Sequence, residues 1–365
     1  MSRLLSLRSR RLYPLFLLRS LWAVMGACAL LLSASARADL VILQYHHVSD
    51  KTPPSTSISP DNFRRHLELL AEQHMTVVDL PDAIAALQKG EALPERAVAI
   101  TFDDAYESIY RVAFPMLKQR GWPFTIFVNP EPVDQGMKGT ITWNQLREMK
   151  AAGAVIANHS MSHPYLINRP DGVSLSDWMD QQIEQAQVRL EAEIGPTPRM
   201  FAYPFGEYNL DMVKWLADHN YLAFGQQSGA VGSSSHWQII PRYPSAGGYA
   251  DVKTLKEKLK TLALPVPNNE AADPVLDGAV MPPFTMTLTP SDWKAANLNC
   301  FASGEGPIRV ERKPLENGQL QVTVTANKPI PGGRSRYNCT APSISKPGYF
   351  YWYSQMWVNS RVKNR

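Results

Sequence analysis

A chain of 365 residues, 44% of them hydrophobic, can bury a sizeable core, which excludes a disordered or fibrous protein and makes two domains the expectation. Its formal charge of +4 is set by six arginines, at positions 3, 8, 10, 11, 19 and 37, in a 38-residue start without acids; the remainder has 31 basic against 33 acidic residues, or −2. A nucleic-acid role therefore lacks electrostatic support.

Residues 1–38 have the pattern of an export signal: an Arg-rich start, an apolar run from Leu21 to Leu32, and Ala36-Arg37-Ala38 as a small-x-small cleavage site before Asp39. The expectation is a periplasmic or secreted mature chain with no stable membrane span, because the apolar run is short for one. Ser9-Arg10-Arg11 loosely resembles a twin-arginine signal, and Cys28 belongs to the apolar run. Cleavage would leave Cys300 and Cys339 as an even pair in an oxidising compartment. One disulfide is expected, closing a loop of about 40 residues and stabilising by roughly 3 to 4 kcal/mol on the chain-entropy model.

Along the mature chain, Leu40 to Tyr45 is an apolar strand ending in His46-His47, and Ser59-Pro60 caps a helix with Phe63, Leu67 and Leu70 at helical spacing. Thr76 to Leu80 is a strand and Pro81 to Lys89 a helix stopped by Gly90. Residues 97–102 are continuously apolar or β-branched and deliver Asp103-Asp104, followed by a helix from about Glu107 to Gln119. Further strands are expected at Phe124 to Val128, Ala154 to Asn158, Arg199 to Tyr203, Tyr221 to Gly225 and Gln238 to Ile240. Helices at Thr142 to Ala152, Leu175 to Ile194, Asn209 to Asn220 and Asp251 to Leu262 alternate with them. Strand after helix in this order predicts an α/β fold, a (β/α)7-like incomplete barrel over residues 39–262. Residues 263–283 turn to Pro, Asn, Asp and Ala, which predicts a linker, and residues 284–365 lose the helical period, which predicts a small β domain with strands at Phe284 to Leu288, Ile308 to Arg312, Leu320 to Thr325 and Gly348 to Val358. Its aromatic run, Tyr349 to Tyr353 and then Trp357, fits strand-core packing better than a sugar-stacking surface.

Chemistry concentrates at the strand tips. Two adjacent acids could merely cap the next helix, but neighbouring strand residues point to opposite sides, so Asp103 and Asp104 can also take two different jobs. His159 and His163 stand at i and i+4, which one helical turn would bring to one side. Asp plus two His with room for water is the ligand set of an open hydrolytic metal site. A carboxylate-pair glycosidase needs acids roughly 5 to 9.5 Å apart across a bond and leaves the histidines unexplained.

Three fragments together resemble the NodB-homology polysaccharide deacetylases, carbohydrate esterase family 4, over roughly residues 40 to 262: Thr101-Phe102-Asp103-Asp104, His159-Ser160-Met161-Ser162-His163, and Arg199-Met200-Phe201-Ala202-Tyr203-Pro204. Tyr45-His46 resembles the subgroup that deacetylates poly-β-1,6-N-acetylglucosamine. The resemblance implies a hydrolase acting on an N-acetylated glycan, with a divalent metal, usually zinc, on Asp104, His159 and His163 and Asp103 as general base. It also implies that Arg199 holds the base and that the backbone N–H of Phe205 meets the oxyanion. Tyr203, Pro204 and Arg242 are assigned to the substrate, Arg242 alternatively to buttressing Asp103 or to the surface. The chain departs from the family pattern in having no histidine after residue 236. His219, in Leu216-Ala217-Asp218-His219, matches the late motif only in its letters, so His46 is the expected general acid. The competing expectation is a carbohydrate-binding protein of the envelope whose barrel has lost activity.

Overall fold

The structure is a computed structural model that describes residues 39–267, 270–330 and 332–361, so the expected export signal lies outside the described residues. From Asp39 onward the described chain belongs to one compact unit. The first strand, β1 (Val41–Tyr45), is followed by α1 (Pro60–Glu72), whose Ser59 cap accepts a hydrogen bond from the Asn62 N–H at 3.0 Å. Then come β2 (Thr76–Val77), α2 (Leu80–Gln88) and β3 (Ala97–Asp103), every residue of β3 being buried. A π-helical turn at Ile109–Ala113 leads into α3 (Phe114–Arg120), with Pro115 in its first turn, where no N–H is missed.

The alternation continues through β4 (Thr125–Val128), α4 (Trp143–Ala151, with a Thr142/Gln145 capping box), β5 (Val155–Asn158), α5 (Gln185–Ile194), β6 (Met200–Ala202), α6 (Leu210–Asp218) and β7 (Leu222–Phe224). The single helix expected at 175–194 is interrupted by a π turn at Asp180–Glu184. Gln238–Ile240 makes only an isolated bridge through Ile240 to Phe224, and the strand that pairs instead with β1 is β8 (Tyr243–Pro244). Two residues, one of them proline, carry no strand signal. The strands run parallel in the order β8-β1-β3-β4-β5-β6-β7, with β2 beside β3, an incomplete (β/α)7-like barrel as expected.

Period-two alternation sorts β3 between two environments. Val98, Ile100 and Phe102 pack against α1 and α3, whereas Ala97 and Ala99 face the barrel interior with Phe127, Met200 and Phe224. Thr101 and Asp103 continue the interior row and are fully buried. The run therefore aims Asp103 into the barrel at its C-terminal mouth.

The stretch expected as a linker is built into the fold. After α7 (Val252–Lys258), β9 (Thr261–Ala263) and β10 (Val275–Leu276) both pair in parallel with the last strand, β17 (Phe350–Asn359). The C-terminal part has a three-stranded sheet, β11 (Phe284–Leu288), β15 (Leu320–Thr325) and β14 (Arg309–Pro314). It packs on a second sheet of order β9-β17-β16-β12-β13, with β12 at Asn299–Ala302, β13 at Gly306–Pro307 and β16 at Gly333–Pro342. Cys300 and Cys339 face each other in register across β12 and β16 and form the expected disulfide. Tyr353 stacks on Phe284 at 5.6 Å and Trp357 is buried, so both join the core. Met356 and Val358, on the other face of β17, pack with Tyr203, Tyr208 and Tyr221 of the barrel; burying each stabilises by roughly 1.5–3 kcal/mol and ties the two parts together.

Candidate metal centre and active site

β3 ends at Asp103, and the chain then turns through left-handed conformations at Asp104 (φ 72°) and Ala105 (φ 49°). Asp104 thereby leaves the strand and swings towards the tip of β5, away from the interior row that holds Asp103. His159 follows β5 directly, and its loop also bends through left-handed residues, Ser160 (φ 67°) and His163 (φ 56°). Residues 159–163 are not helical, contrary to the helical turn expected from the spacing. A loop brings the imidazoles together, fixed by Asn158 Oδ1 accepting from Ser160 N–H at 2.8 Å and Ser160 Oγ accepting from His163 N–H at 3.0 Å. Among the nine described non-glycine residues with positive φ, five (these four and Phe205, φ 59°) sit at this mouth. Strain collected at one place marks a site held by its surroundings.

The ligand atoms of Asp104, His159 and His163 all lie within 4.8 Å of one another. Asp104 Oδ1 is 3.1 Å from His159 Nε2 and 3.2 Å from His163 Nε2. Nδ1 of His159 donates to the Ala202 carbonyl at 2.8 Å, because a carbonyl can only accept. A neutral His159 ring then turns its Nε2 lone pair on the Asp104 carboxylate, and two acceptors at that distance repel unless a proton or cation lies between them. In keeping with this, Asp104 Oδ1 and His159 Nε2 are buried without a hydrogen-bond partner, despite their ion-pair distance. These residues fit a divalent cation by donor type, by tautomer and by their unmet lone pairs.

The same convergence shows in titration. Burial disfavours a charged His159, but the Asp104 carboxylate beside it, with help from Asp103, overrides that and raises the ring's pKa. Burial pushes His163 down to about 4. For Asp104, burial opposes the charged form, yet His159, His46 and His163 hold the carboxyl well below the usual range.

Asp103 faces a different set. Arg242 grips it with both arms, Nη1 to Oδ1 at 2.7 Å and Nη2 to Oδ2 at 2.8 Å, and both side chains are fully buried. Gln44 Nε2 also donates to Oδ2 at 2.6 Å, and His46 Nε2 stands 4.0 Å away. Burial raises the pKa of Asp103, but Arg242 and the nearby imidazoles outweigh it and bring it to about 2.

Arg199, expected to hold the base, does not touch it. β6 is three residues long, and Arg199 precedes it at the end of the sheet away from the site. There it pairs with Glu184, donates to the His219 carbonyl at 3.0 Å and lies over Tyr221. Arg242, the arginine on Asp103, precedes β8, the strand the sequence did not signal. Tyr203 and Pro204, assigned to substrate, are buried, and the Tyr203 hydroxyl donates to the Gln238 carbonyl at 2.9 Å. Phe205 does reach the mouth, with its ring 4.6 Å from that of His163 and stacked on Tyr165. His46, His163, Asp104 and Phe205 line a cleft of about 640 Å³. His47 turns aside to stack on Tyr106, and His219 stacks on Trp215 away from the cleft. Gln44 was missed, although a lone amide inside the apolar run Val41-Ile42-Leu43-Gln44-Tyr45 is itself a signal of a buried partner.

Residues 90–224 match the family model described as polysaccharide deacetylase. Residues 90–224 thus carry a polysaccharide deacetylase domain of the NodB type. It is similar to the poly-beta-1,6-N-acetyl-D-glucosamine N-deacetylase of Escherichia coli (strain K12), 26% identical over 263 residues, which cover 60% of this chain and 39% of that protein. YxkH of Bacillus subtilis (strain 168) is 27% identical over 177 residues, covering 48% of this chain and 60% of YxkH. The chain thus spans less than two thirds of either relative. Among solved structures, IcaB from Ammonifex degensii superposes with a TM-score of 0.54 at 25% identity, covering 61% of this chain and 98% of IcaB. The Streptococcus pyogenes deacetylase PplD, in complex with acetate, shares the fold at a TM-score of 0.55 and 23% identity over 61% of this chain and 99% of PplD. The domain's relatives are N-deacetylases, which are hydrolases.

Proposed function

We propose that the protein is a metal-dependent hydrolase that removes N-acetyl groups from an amino-sugar polysaccharide outside the cytoplasm, with poly-β-1,6-N-acetylglucosamine as the first polymer to test. The observation that carries this reading is the convergence of Asp104, His159 and His163 on one point, beside an ionised Asp103. The polymer is taken from the relatives' names, and the location from the export pattern of residues 1–38. Among the described residues no helix is long and apolar enough to cross a membrane.

Asp104, His159 and His163 would hold the cation, zinc by their imidazole and carboxylate chemistry, which when bound supplies Lewis acidity and lowers the pKa of water towards ~7. Asp103 takes the proton of the attacking water. His46, whose Nε2 stands 4.0 Å from Asp103 at the cleft wall, is assigned to give a proton to the departing amine. Arg242 and Gln44 fix the angle of Asp103 and keep it ionised. The Phe205 N–H is assigned to the developing oxyanion, where one such donor is commonly worth ~10²–10³ in rate.

The test is acetate release from N-acetylglucosamine polymers, with and without a chelator, by wild type, Asp103→Asn and His163→Ala. The expected outcome is chelator-sensitive release by wild type and a loss of at least ~10³-fold in both variants. Glycan binding without any acetate release by wild type would instead establish the carbohydrate-binding alternative.

A further inference from the structure

The wall of the cleft opposite the strand tips comes from the C-terminal sheet. In β16, Ser335, Tyr337 and Cys339 are buried, and the last two lie in the core between the C-terminal sheets. Alternation turns Arg334 and Arg336 to the other face, where their register partners on β17 are Val358 and Met356, the two residues that pack on the barrel. Both guanidiniums therefore come to the barrel mouth and line the same cleft as His46, His163 and Phe205.

The two arginines are differently engaged. Arg334 Nη1 donates to the Phe205 carbonyl at 2.9 Å, and its Nε lies 3.9 Å from the buried Glu207. Arg336 has no carboxylate within ion-pair distance among the described residues and is half-buried beside Tyr249 and Arg334. Burial, and then the repulsion of Arg334, pulls its pKa down. A half-buried guanidinium without a counter-charge is costly for the fold alone. Among the described residues lining the cleft the one carboxylate is Asp104, at the facing strand tips, and it is turned to His159 and His163. A sugar unit lying along β16 consequently meets positive charge, while the reaction proposed above turns neutral acetamides into ammonium groups.

We propose that Arg336, with Arg334 beside it, forms a subsite for the sugar unit flanking the one that reacts, accepting an uncharged or acidic unit and turning away a unit that already carries a free ammonium. The inference rests on the deacetylase reading. Its consequence is that acetyl removal is self-limiting: each event disfavours a second one next door, and the product is partly and sparsely deacetylated. Unit charges within the cleft, partly screened by solvent, should slow a reaction beside an ammonium by about five-fold, and added salt should weaken the effect.

The experiment uses three defined N-acetylglucosamine oligomers that differ in one internal unit: N-acetylglucosamine, glucose or glucosamine. They are assayed at pH about 6.5, below the ordinary range of an amine. Loss of acetyl from the neighbouring unit is followed by tandem mass spectrometry, and binding of the same oligomers is measured by calorimetry with the Asp103→Asn protein. The glucose oligomer separates loss of an acetyl contact from gain of a charge. Wild type should process and bind the glucosamine oligomer about five-fold less well than the glucose one. Arg336→Gln should bring the two together and Arg336→Lys should keep them apart. Equal handling of both oligomers by wild type, or an unchanged ratio in Arg336→Gln, would overturn the inference. Absence of acetate from all three oligomers would instead overturn the deacetylase reading, and the binding ratios would still decide the charge preference.

Discussion

The barrel mouth and the C-terminal sheet face each other across one cleft and are built in opposite ways. At the mouth, five non-glycine residues hold left-handed backbone, the Asp103–Arg242 pair is buried, and lone pairs of Asp104 and His159 confront each other unmet. In β16 and β17 the backbone is regular, ten residues pair in continuous antiparallel register, and a disulfide bridges β16 to β12. The contrast teaches where this fold keeps stability and where it keeps chemistry. Regular pairing and the disulfide stabilise the wall, which leaves the mouth able to hold strain and charge that the fold does not need.

The comparison is broken most severely at Arg242. Arg242→Gln leaves the fully buried Asp103 with an uncompensated charge and should lower the unfolding free energy by about 3–5 kcal/mol, measured by urea denaturation, while abolishing acetate release. Adding Asp103→Asn should return most of that stability and none of the activity, since the double change removes the lone charge but not the need for a base. If the double variant is as unstable as Arg242→Gln, the pair is not the isolated unit described. A smaller effect sharpens the other side. Cys300→Ser with Cys339→Ser should cost roughly 3 to 4 kcal/mol in the same measurement and leave metal affinity intact, because the bridge lies within the C-terminal sheet. A variant that loses metal along with its disulfide would show that the two regions are not independent.

The sequence carried the parts of this architecture that obey a period or a cap. The continuous run 97–102, the Ser59 and Thr142 caps, and the strands at 284–288 and 320–325 are visible because packing and local chemistry agree there. Asp103, Asp104, His159 and His163 were legible as a group because strand tips of a parallel barrel converge. The choice between Arg199 and Arg242 was not, since it depends on β8, a two-residue strand that only the register with β1 defines. β16 was hidden because its inward row is Ser, Tyr, Cys and Ala and its outward row holds arginines, so no run of branched apolar residues announces it. The stretch 263–283 has a linker's composition, yet β17 gives its backbone partners at both ends, a contact between residues some 80 apart that local pattern cannot express.

The central claim, one cation gathered by a carboxylate and two imidazoles, is tested most directly by equilibrium dialysis of purified protein against zinc, with bound metal read by atomic emission. The account predicts one zinc per chain for wild type and for Asp103→Asn, and loss of that zinc in Asp104→Asn and in His163→Ala. A wild-type protein that holds no zinc, or the same zinc content in all four proteins, would contradict it.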